Sequence, residues 1–191
     1  MKLVGVILAG GKSTRMGQDK AELVWRGETL LKNQINTLCE IVDSDAVFVS
    51  GKRPGFQHVP DLDGDKGPLE GVRSVLLNLV KRFSDFHAFV VPVDMPFLSS
   101  CDLNALKNEA RDADVCIFDG TNLPVYISNP AKVVRVIDQM NDGGQPSGFS
   151  FKALYKRLKV KRITRSLKTE LLNLNTPEEL NEAISKTNAP S

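Results

Sequence analysis

Cysteine is scarce in this 191-residue chain: Cys39, Cys101 and Cys116 make an odd three with no CxxC pair. That excludes a disulfide framework and the paired-thiol spacing of a zinc site, and it suits a reducing cytosol. The thiols are expected to be buried small hydrophobes, Cys116 above all, because it sits inside the apolar run VCIF. An excess of one charge is also missing. Lys+Arg number 25 against 23 Asp+Glu, a formal net charge of +2, too even for a dedicated nucleic-acid binder. No apolar run reaches membrane-spanning length. The N-terminal MKLVGVILAGG meets its glycines too soon for a signal peptide and reads as a strand. A cytoplasmic protein with no membrane and no nucleic-acid partner is expected. Repeats and low-complexity tracts are absent as well.

What is there is ordinary globular material, 41% hydrophobic and 25% charged, enough to bury the core of one α/β domain. Short β-branched runs alternate with helical periodicity, the pattern of a mostly parallel sheet flanked by helices, Rossmann-like in class. Strands are expected at 3–8, 46–50, 87–93, 114–118, 124–127, 158–163 and 170–174. Apolar stripes predict helices through Leu31, Gln34, Ile35, Leu38 and Ile41-Val42; through Leu69, Val72, Val75-Leu76 and Leu79-Val80; and through Val133, Val136-Ile137 and Met140. A last helix starts at Thr176 as N-cap, with Pro177 at its first position and Glu179 completing a capping box. Loops are expected at 51–68 and 141–148. The domain is expected to span 1–187, with a disordered tail at 188–191.

The GKST within LAGGKSTRMG (8–17) has the form of a P-loop's end. A P-loop needs a glycine five positions before the glycine of its GK pair. Counting back from Gly11 gives Val6, with Gly5 out of register by one, and Gly17 interrupts where a helix should run on. The loop nevertheless follows the first strand, where an open α/β sheet binds ligands. Ala9, Gly10 and Gly11 let a ligand approach the backbone, and Arg15 and Lys20 supply positive charge suited to phosphate. A glycine-rich turn with two solvated cations is the plain alternative.

The pattern runs on. LAGGKSTRMGQDKAELVWRGETLL resembles the nucleotidyltransferase signature LAGGxxxRMGxDKxxLxxxGxxLL, and more narrowly that of the molybdenum cofactor guanylyltransferases, the MobA family. The resemblance implies that this loop, Leu8 to Gly11, holds the base and phosphates of a nucleoside triphosphate, and that Lys20 contacts phosphate.

Later segments carry carboxylates. HAFVVPVDMPFL (87–98) is an apolar strand ending in Asp94. A charge there needs compensation, and magnesium, which takes one or two carboxylates plus triphosphate oxygens, would supply it. A turn aspartate is the alternative, although Ser99 or Ser100 is better placed to cap the next helix. The stretch resembles the family's PxDMPFL segment, whose aspartate binds the metal. VPDLDGDKGPLEGVRS (59–74) alternates acids as a calcium loop does, but Gly64 falls at position 4 rather than 6 and Val72 at position 12, so the register fails. GPLEG matches the family's GPLxG element, which places Asp61 at the aspartate assigned to the guanine nucleotide. Cytidylyltransferases acting on the same cofactor carry GxSxS there. Ser50 stands where the family often has a nucleotide-contacting asparagine.

LLNLNTPEEL (171–180) resembles the family's NxNTPEEL ending. Asn173 and Asn175 alternate with leucines, so both are expected on one face of a short strand, gripping a pterin or phosphate or simply closing the strand. Phe151 to Lys168 holds eight basic residues and no acid. Phe151, Leu154, Tyr155 and Leu158 form a helical stripe that leaves Lys152, Lys156 and Arg157 outside, a solvated face or a guide for an anionic pterin. The family's arginine in this helix has its matches among Ser150, Phe151 and Lys152.

The resemblance therefore implies a Mg2+-dependent transfer of GMP from GTP to the terminal phosphate of molybdopterin or its molybdenum-loaded form. Lys20, Asp94 and Arg15 would be catalytic. Leu8, Ala9, Gly10, Gly11, Lys20, Ser50, Asp61 and Asp94 would bind GTP. Asn173, Asn175 and Lys152 would face the pterin. Cofactor-delivery proteins and molybdoenzymes are candidate protein partners. A CTP-dependent or sugar-phosphate nucleotidyltransferase, or a non-catalytic cofactor carrier, are the rival readings.

Overall fold

The computed structural model describes residues 1–9, 19–62, 67–142, 149–165 and, near the C-terminus, 171, 173–174, 179 and 182. Among these, β1 (Lys2–Leu8) is buried on both sides, as a central parallel strand must be. Val4, Val6 and Leu8 point to one core and Ile7 to the other. A short hairpin follows, β2 (Val24–Trp25) and β3 (Glu28–Thr29), closed by Arg26 and Gly27 at φ 49° and 85°, the two positive values a tight primed turn requires. Thr29 then caps α1 (Leu30–Cys39) by accepting from the Lys32 amide.

The chain continues through β4 (Val47–Ser50), β5 (His58–Val59), α2 (Pro68–Arg82), β6 (Phe86–Pro92) and α3 (Ser100–Glu109), then β7 (Val115–Phe118), β8 (Val125–Ile127), α4 (Pro130–Asp142), α5 (Phe151–Tyr155) and β9 (Val160–Ile163). Seven strands form one sheet in the order β5-β4-β1-β6-β8-β7-β9. All run one way except β8, which pairs antiparallel with both neighbours. α1 and α3 cover one face, with Ile7, Phe89, Val91, Cys116 and Tyr126 beneath them. α2, α4 and α5 cover the other, over Val4, Val6, Val90, Ile117 and Val125. The mostly parallel sheet flanked by helices is the expected class. No helix among the described residues is long and apolar enough to cross a membrane.

Several expected details differ. α1 stops at Cys39, so Ile41 and Val42 lie beyond it. The expected loop 51–68 contains β5, which pairs with β4 through Val49↔His58 and Ser50↔Val59; two residues are too few for alternation to register. The strand expected from 158 begins at Val160, because Leu158 belongs to the turn after α5. The strand expected at 170–174 does not form at Leu171, Asn173 or Leu174. The Leu174 amide bonds the Asp94 carbonyl at 2.9 Å, beyond the end of β6, where there is no strand to extend a ladder. Thr176 and Pro177 lie outside the described residues, while Glu179 and Glu182 are helical. Cys116 is buried, and burial pushes its thiol up to about 11. Cys39 and Cys101 are exposed instead, since each occupies a helix-end position off the apolar stripe.

Candidate functional site

The sheet sets the site through its register. Leu8 is level with Ser50 on β4 and Pro92 on β6, and Ser50 is level with Val59 on β5. Four parallel strands therefore end in one row. The chain leaves β1 for β4 on one side and later returns to lay β6 on the other, and such a reversal opens a crevice beyond the carboxyl ends. Ala9 follows Leu8 into it. Asp94 lies two residues past Pro92, and Asp61 two past Val59, so both carboxylates stand beyond the same edge.

Asp94 is held in place by its surroundings. The Val93 amide bonds the Leu8 carbonyl at 3.2 Å and continues the β1–β6 ladder to the residue before it. The next carbonyls are held from α1: Gln34 Nε2 donates to Met95 O at 2.6 Å and Asn33 Nδ2 to Pro96 O at 3.4 Å. Gln34 is fully buried, and its Oε1 has no hydrogen-bond partner among the described residues. Just beyond, Ser99 and Asp102 form a capping box for α3. Arg165, after β9, grips Asp102 with Nε at 2.6 Å and Nη2 at 2.7 Å. A planar guanidinium matches a carboxylate in this two-point manner.

Lys20 opens a one-turn 3-10 helix (Lys20–Glu22) capped by the Asp19 carboxylate, which accepts from the Ala21 amide at 3.0 Å. Ala21 is buried against the α1 side of the core, so the turn is anchored. Lys20 Nζ reaches Asp94 Oδ2 at 2.7 Å, with the two side chains 19% and 15% exposed. No described residue donates to Asp94 Oδ1. Arg53, three residues after β4, bonds the Ala9 carbonyl at 2.6 Å and both oxygens of Asp19. Burial raises the Asp19 pKa, but the Arg53 hydrogen bonds, the Ala21 amide and the Arg53 charge together outweigh it and leave the carboxyl below its ordinary range.

At the β4–β5 side, Gly71 in α2 comes so near that a Cβ there would lie 3.1 Å from Ser50 Oγ and 3.5 Å from Leu8 Cδ2. A side chain at 71 would need the Ser50 hydroxyl to give way by a few tenths of an ångström. Ser50 is thus buried beneath the first turns of α2, in a packing position rather than an open one. The half-buried Asp61 is followed by Leu62, whose amide bonds Ser74 Oγ at 2.9 Å. Ser74 donates to Glu70 Oε1 at 3.1 Å, and Arg73 bridges Glu70 to Asp138 of α4.

The structure therefore brings together Leu8, Ala9, Lys20 and Asp94, with Ser50 and Asp61 along the same edge. Asn173 is exposed beside Leu174, whose amide touches the Asp94 carbonyl. Lys152 is exposed on α5, which packs with the α2–α4 layer, and no described contact joins it to the Lys20–Asp94 pair. Gly10, Gly11, Arg15 and Asn175 lie outside the described residues. Sequence reasoning missed Arg53, Gln34, Glu70 and Arg165. Gln34 alone left a signal, a polar residue on an apolar stripe; Arg53 and Arg165 look like any surface cation.

The profile of the MobA-like NTP transferase domain matches residues 5–160, which include every strand-end residue of this edge. The chain belongs to that family. A molybdenum cofactor guanylyltransferase of Xanthomonas euvesicatoria pv. vesicatoria is 38% identical over 182 residues, covering 94% of this chain and 93% of that protein. Molybdopterin-guanine dinucleotide biosynthesis protein A from Archaeoglobus fulgidus superposes with a TM-score of 0.75 at 20% identity, covering 98% of both chains. A 2-C-methyl-D-erythritol 4-phosphate cytidylyltransferase from Thermus thermophilus gives 0.65 at 15% identity, covering 99% of this chain and 100% of that one. As a member of the MobA-like family the chain is a nucleotidyltransferase, and its fold is shared with that cytidylyltransferase.

Proposed function

We propose that this nucleotidyltransferase transfers GMP from GTP to the terminal phosphate of molybdopterin, forming molybdopterin guanine dinucleotide and pyrophosphate. The observation that carries the reading is the Lys20–Asp94 pair beyond the carboxyl edge of the neighbouring strands β1 and β6. The 38% identical relative named for guanylyl transfer and the GPLEG element at the head of α2 support guanine.

A terminal phosphate oxygen of the pterin attacks the α-phosphorus of GTP, the α–β bridging bond breaks, and pyrophosphate leaves with the bond electrons. The attacking phosphate monoester is already largely ionised near neutral pH, so no side chain has to remove a proton. What the chain must supply is in-line placement and charge neutralisation. Lys20 clamps triphosphate oxygens with Arg15. The backbone of Leu8, Ala9, Gly10 and Gly11 admits the nucleotide, and Asp61 faces its base. Asn173, Asn175 and Lys152 are assigned to the pterin side. Ser50, being buried, supports the nucleotide edge through Gly71 rather than as an exposed contact.

Mg2+ fits the donor set. The described residues hold no group of three or more His, Cys, Asp or Glu side chains able to cage a metal, whereas magnesium bound with a nucleotide needs one or two carboxylates, the rest being phosphate and water. Asp94 would hold it. When bound, the ion neutralises charge on the phosphate oxygens.

The test is a thermal-shift panel of GTP, CTP, ATP and UTP with Mg2+, followed by pyrophosphate release with molybdopterin. A nucleotide at 100 times its dissociation constant adds about 2.7 kcal/mol of stability. GTP alone should stabilise the protein and support turnover. Stabilisation by CTP instead would overturn the guanine assignment, and tight pterin binding without pyrophosphate release would overturn catalysis.

A further inference from the structure

Ala9 and Asp19 are joined by a side chain from the segment that follows β4. Arg53 Nη2 donates to the Ala9 carbonyl at 2.6 Å and to Asp19 Oδ1 at 2.9 Å, while Nη1 bonds Asp19 Oδ2. Ala9 ends the chain's exit from β1, and Asp19 caps the turn that begins at Lys20. The register that sets Leu8 level with Ser50 puts the segment after β4 alongside the segment after β1, so Arg53 has only a short span to cross. The arginine side chain is 17% exposed and the Asp19 side chain 41%, so the bond to the Ala9 carbonyl is the sheltered one and the carboxylate pair lies nearer solvent.

We propose that Arg53 is a positioning residue for nucleotide binding: it fixes the separation of Ala9 and Asp19, and through Asp19 the placement of Lys20 against Asp94. The chemistry of the contact suits that role. Two nitrogens of one guanidinium serve three acceptors, gripping the Asp19 carboxylate at two points while holding the Ala9 carbonyl, a forked geometry that the single nitrogen of a lysine does not reproduce. Ala9 and Asp19 are thereby held at a fixed separation before a ligand arrives, and such preorganisation lowers the cost of binding. The relay is continuous. Asp19 Oδ1 accepts from Arg53 and also from the Ala21 amide at 3.0 Å, and Lys20 between them reaches Asp94 at 2.7 Å.

The inference rests on the reading that this edge binds a nucleotide. Its test is a double-mutant cycle on the whole chain, with the dissociation constant of Mg-GTP by calorimetry and kcat by pyrophosphate release. Arg53→Ala and Asp19→Asn should each weaken GTP binding about tenfold and lower kcat as well, since both loosen the placement of Lys20. The double variant should be no worse than the weaker single, because both remove the same link. Arg53→Lys should fail to restore binding. If Asp19→Asn binds GTP as well as or better than wild type while Arg53→Ala binds poorly, Arg53 acts directly on the ligand and the proposal is overturned. Wild-type affinity in both singles, or full additivity, overturns it too. Melting without ligand identifies a misfolded variant, and Asp19→Asn, a change of one atom type, keeps the cycle usable if Arg53→Ala does not fold. A wild type that binds Mg-CTP and not Mg-GTP would overturn the guanine assignment alone, and the same cycle run with CTP would still judge Arg53.

Discussion

Lys20 Nζ lies 2.7 Å from Asp94 Oδ2 although 74 residues separate them in the chain. The two groups neutralise each other at an edge where a triphosphate and its metal would claim them separately. Asp94→Asn, which keeps the shape and removes the charge, should lower turnover by about 10²–10³ or more, and Lys20→Ala by a similar factor, as for other losses of a charge-stabilising group. Pyrophosphate release at saturating GTP is the measurement. Near-normal turnover by Asp94→Asn would remove the carboxylate from the chemistry.

Gln34 presents a different relationship to the same aspartate. It is fully buried with one oxygen unpartnered among the described residues, a cost that packing alone does not repay. Its other end holds the Met95 carbonyl at 2.6 Å, one residue from Asp94. Gln34→Leu preserves volume, removes that oxygen and leaves the Met95 carbonyl with the Leu98 amide, 3.1 Å away, as its remaining donor, a loss of about 0.5–1.5 kcal/mol. The two effects partly offset, so urea unfolding should show a loss of no more than about 1 kcal/mol. Turnover should fall about tenfold to a hundredfold, since small misplacements of a reacting group are expensive. A variant that lost stability while keeping kcat would make Gln34 a packing residue only.

Gly71 and Ser50 form a testable pair on stability. A Cβ at position 71 would meet Ser50 Oγ at 3.1 Å but Ser50 Cβ at 3.6 Å, so only the hydroxyl stands in the way. Gly71→Ala should destabilise the wild type by about 1 kcal/mol, crowding outweighing the helix gain. In a Ser50→Ala background the same change should stabilise by about 0.5–1 kcal/mol, the ordinary advantage of alanine over glycine in a helix. Chemical denaturation of the four proteins reads the sign change. Equal effects in both backgrounds would mean that the contact relaxes freely.

The layers of the fold were legible because the apolar runs of β1, β6 and β7 and the stripes of α2 and α4 are long enough for their period to register. β5 was not, being two residues long, and neither was the direction of β8, since an antiparallel strand buried on both faces reads like a parallel one. At the site, the sequence marked Leu8, Lys20 and Asp94, whose chemistry is unusual for their positions. It did not mark what holds them. Arg53 and Arg165 acquire their partners only when β4 and β9 are laid beside their neighbours, and those pairings are long-range. Ser50 is expected at the nucleotide from the resemblance, and nothing in the sequence shows that it is buried beside Gly71.

His87 gives the protein a pH dependence independent of catalysis. It lies on β6 with Nδ1 against the Tyr126 hydroxyl. Burial is the largest influence on its imidazole and lowers the pKa; the Asp85 charge raises it and the N-terminal ammonium lowers it, and the net value is below the ordinary 6.5. Burial pushes Tyr126 up to about 12, so the hydroxyl keeps its proton throughout the acid and neutral range. With a folded pKa below the unfolded one, the unfolded chain binds more protons between the two values, and stability rises with pH across that window. The contribution is complete above pH 6.5 and is lost as pH falls through the folded pKa. Urea unfolding of wild type and His87→Gln at pH 5.5 and 7.5 tests this. Wild type should lose more stability than the variant on acidification, because glutamine carries no proton to gain. Equal losses would show that His87 titrates alike in the folded and unfolded chain, and the buried contact with Tyr126 would then carry no linkage.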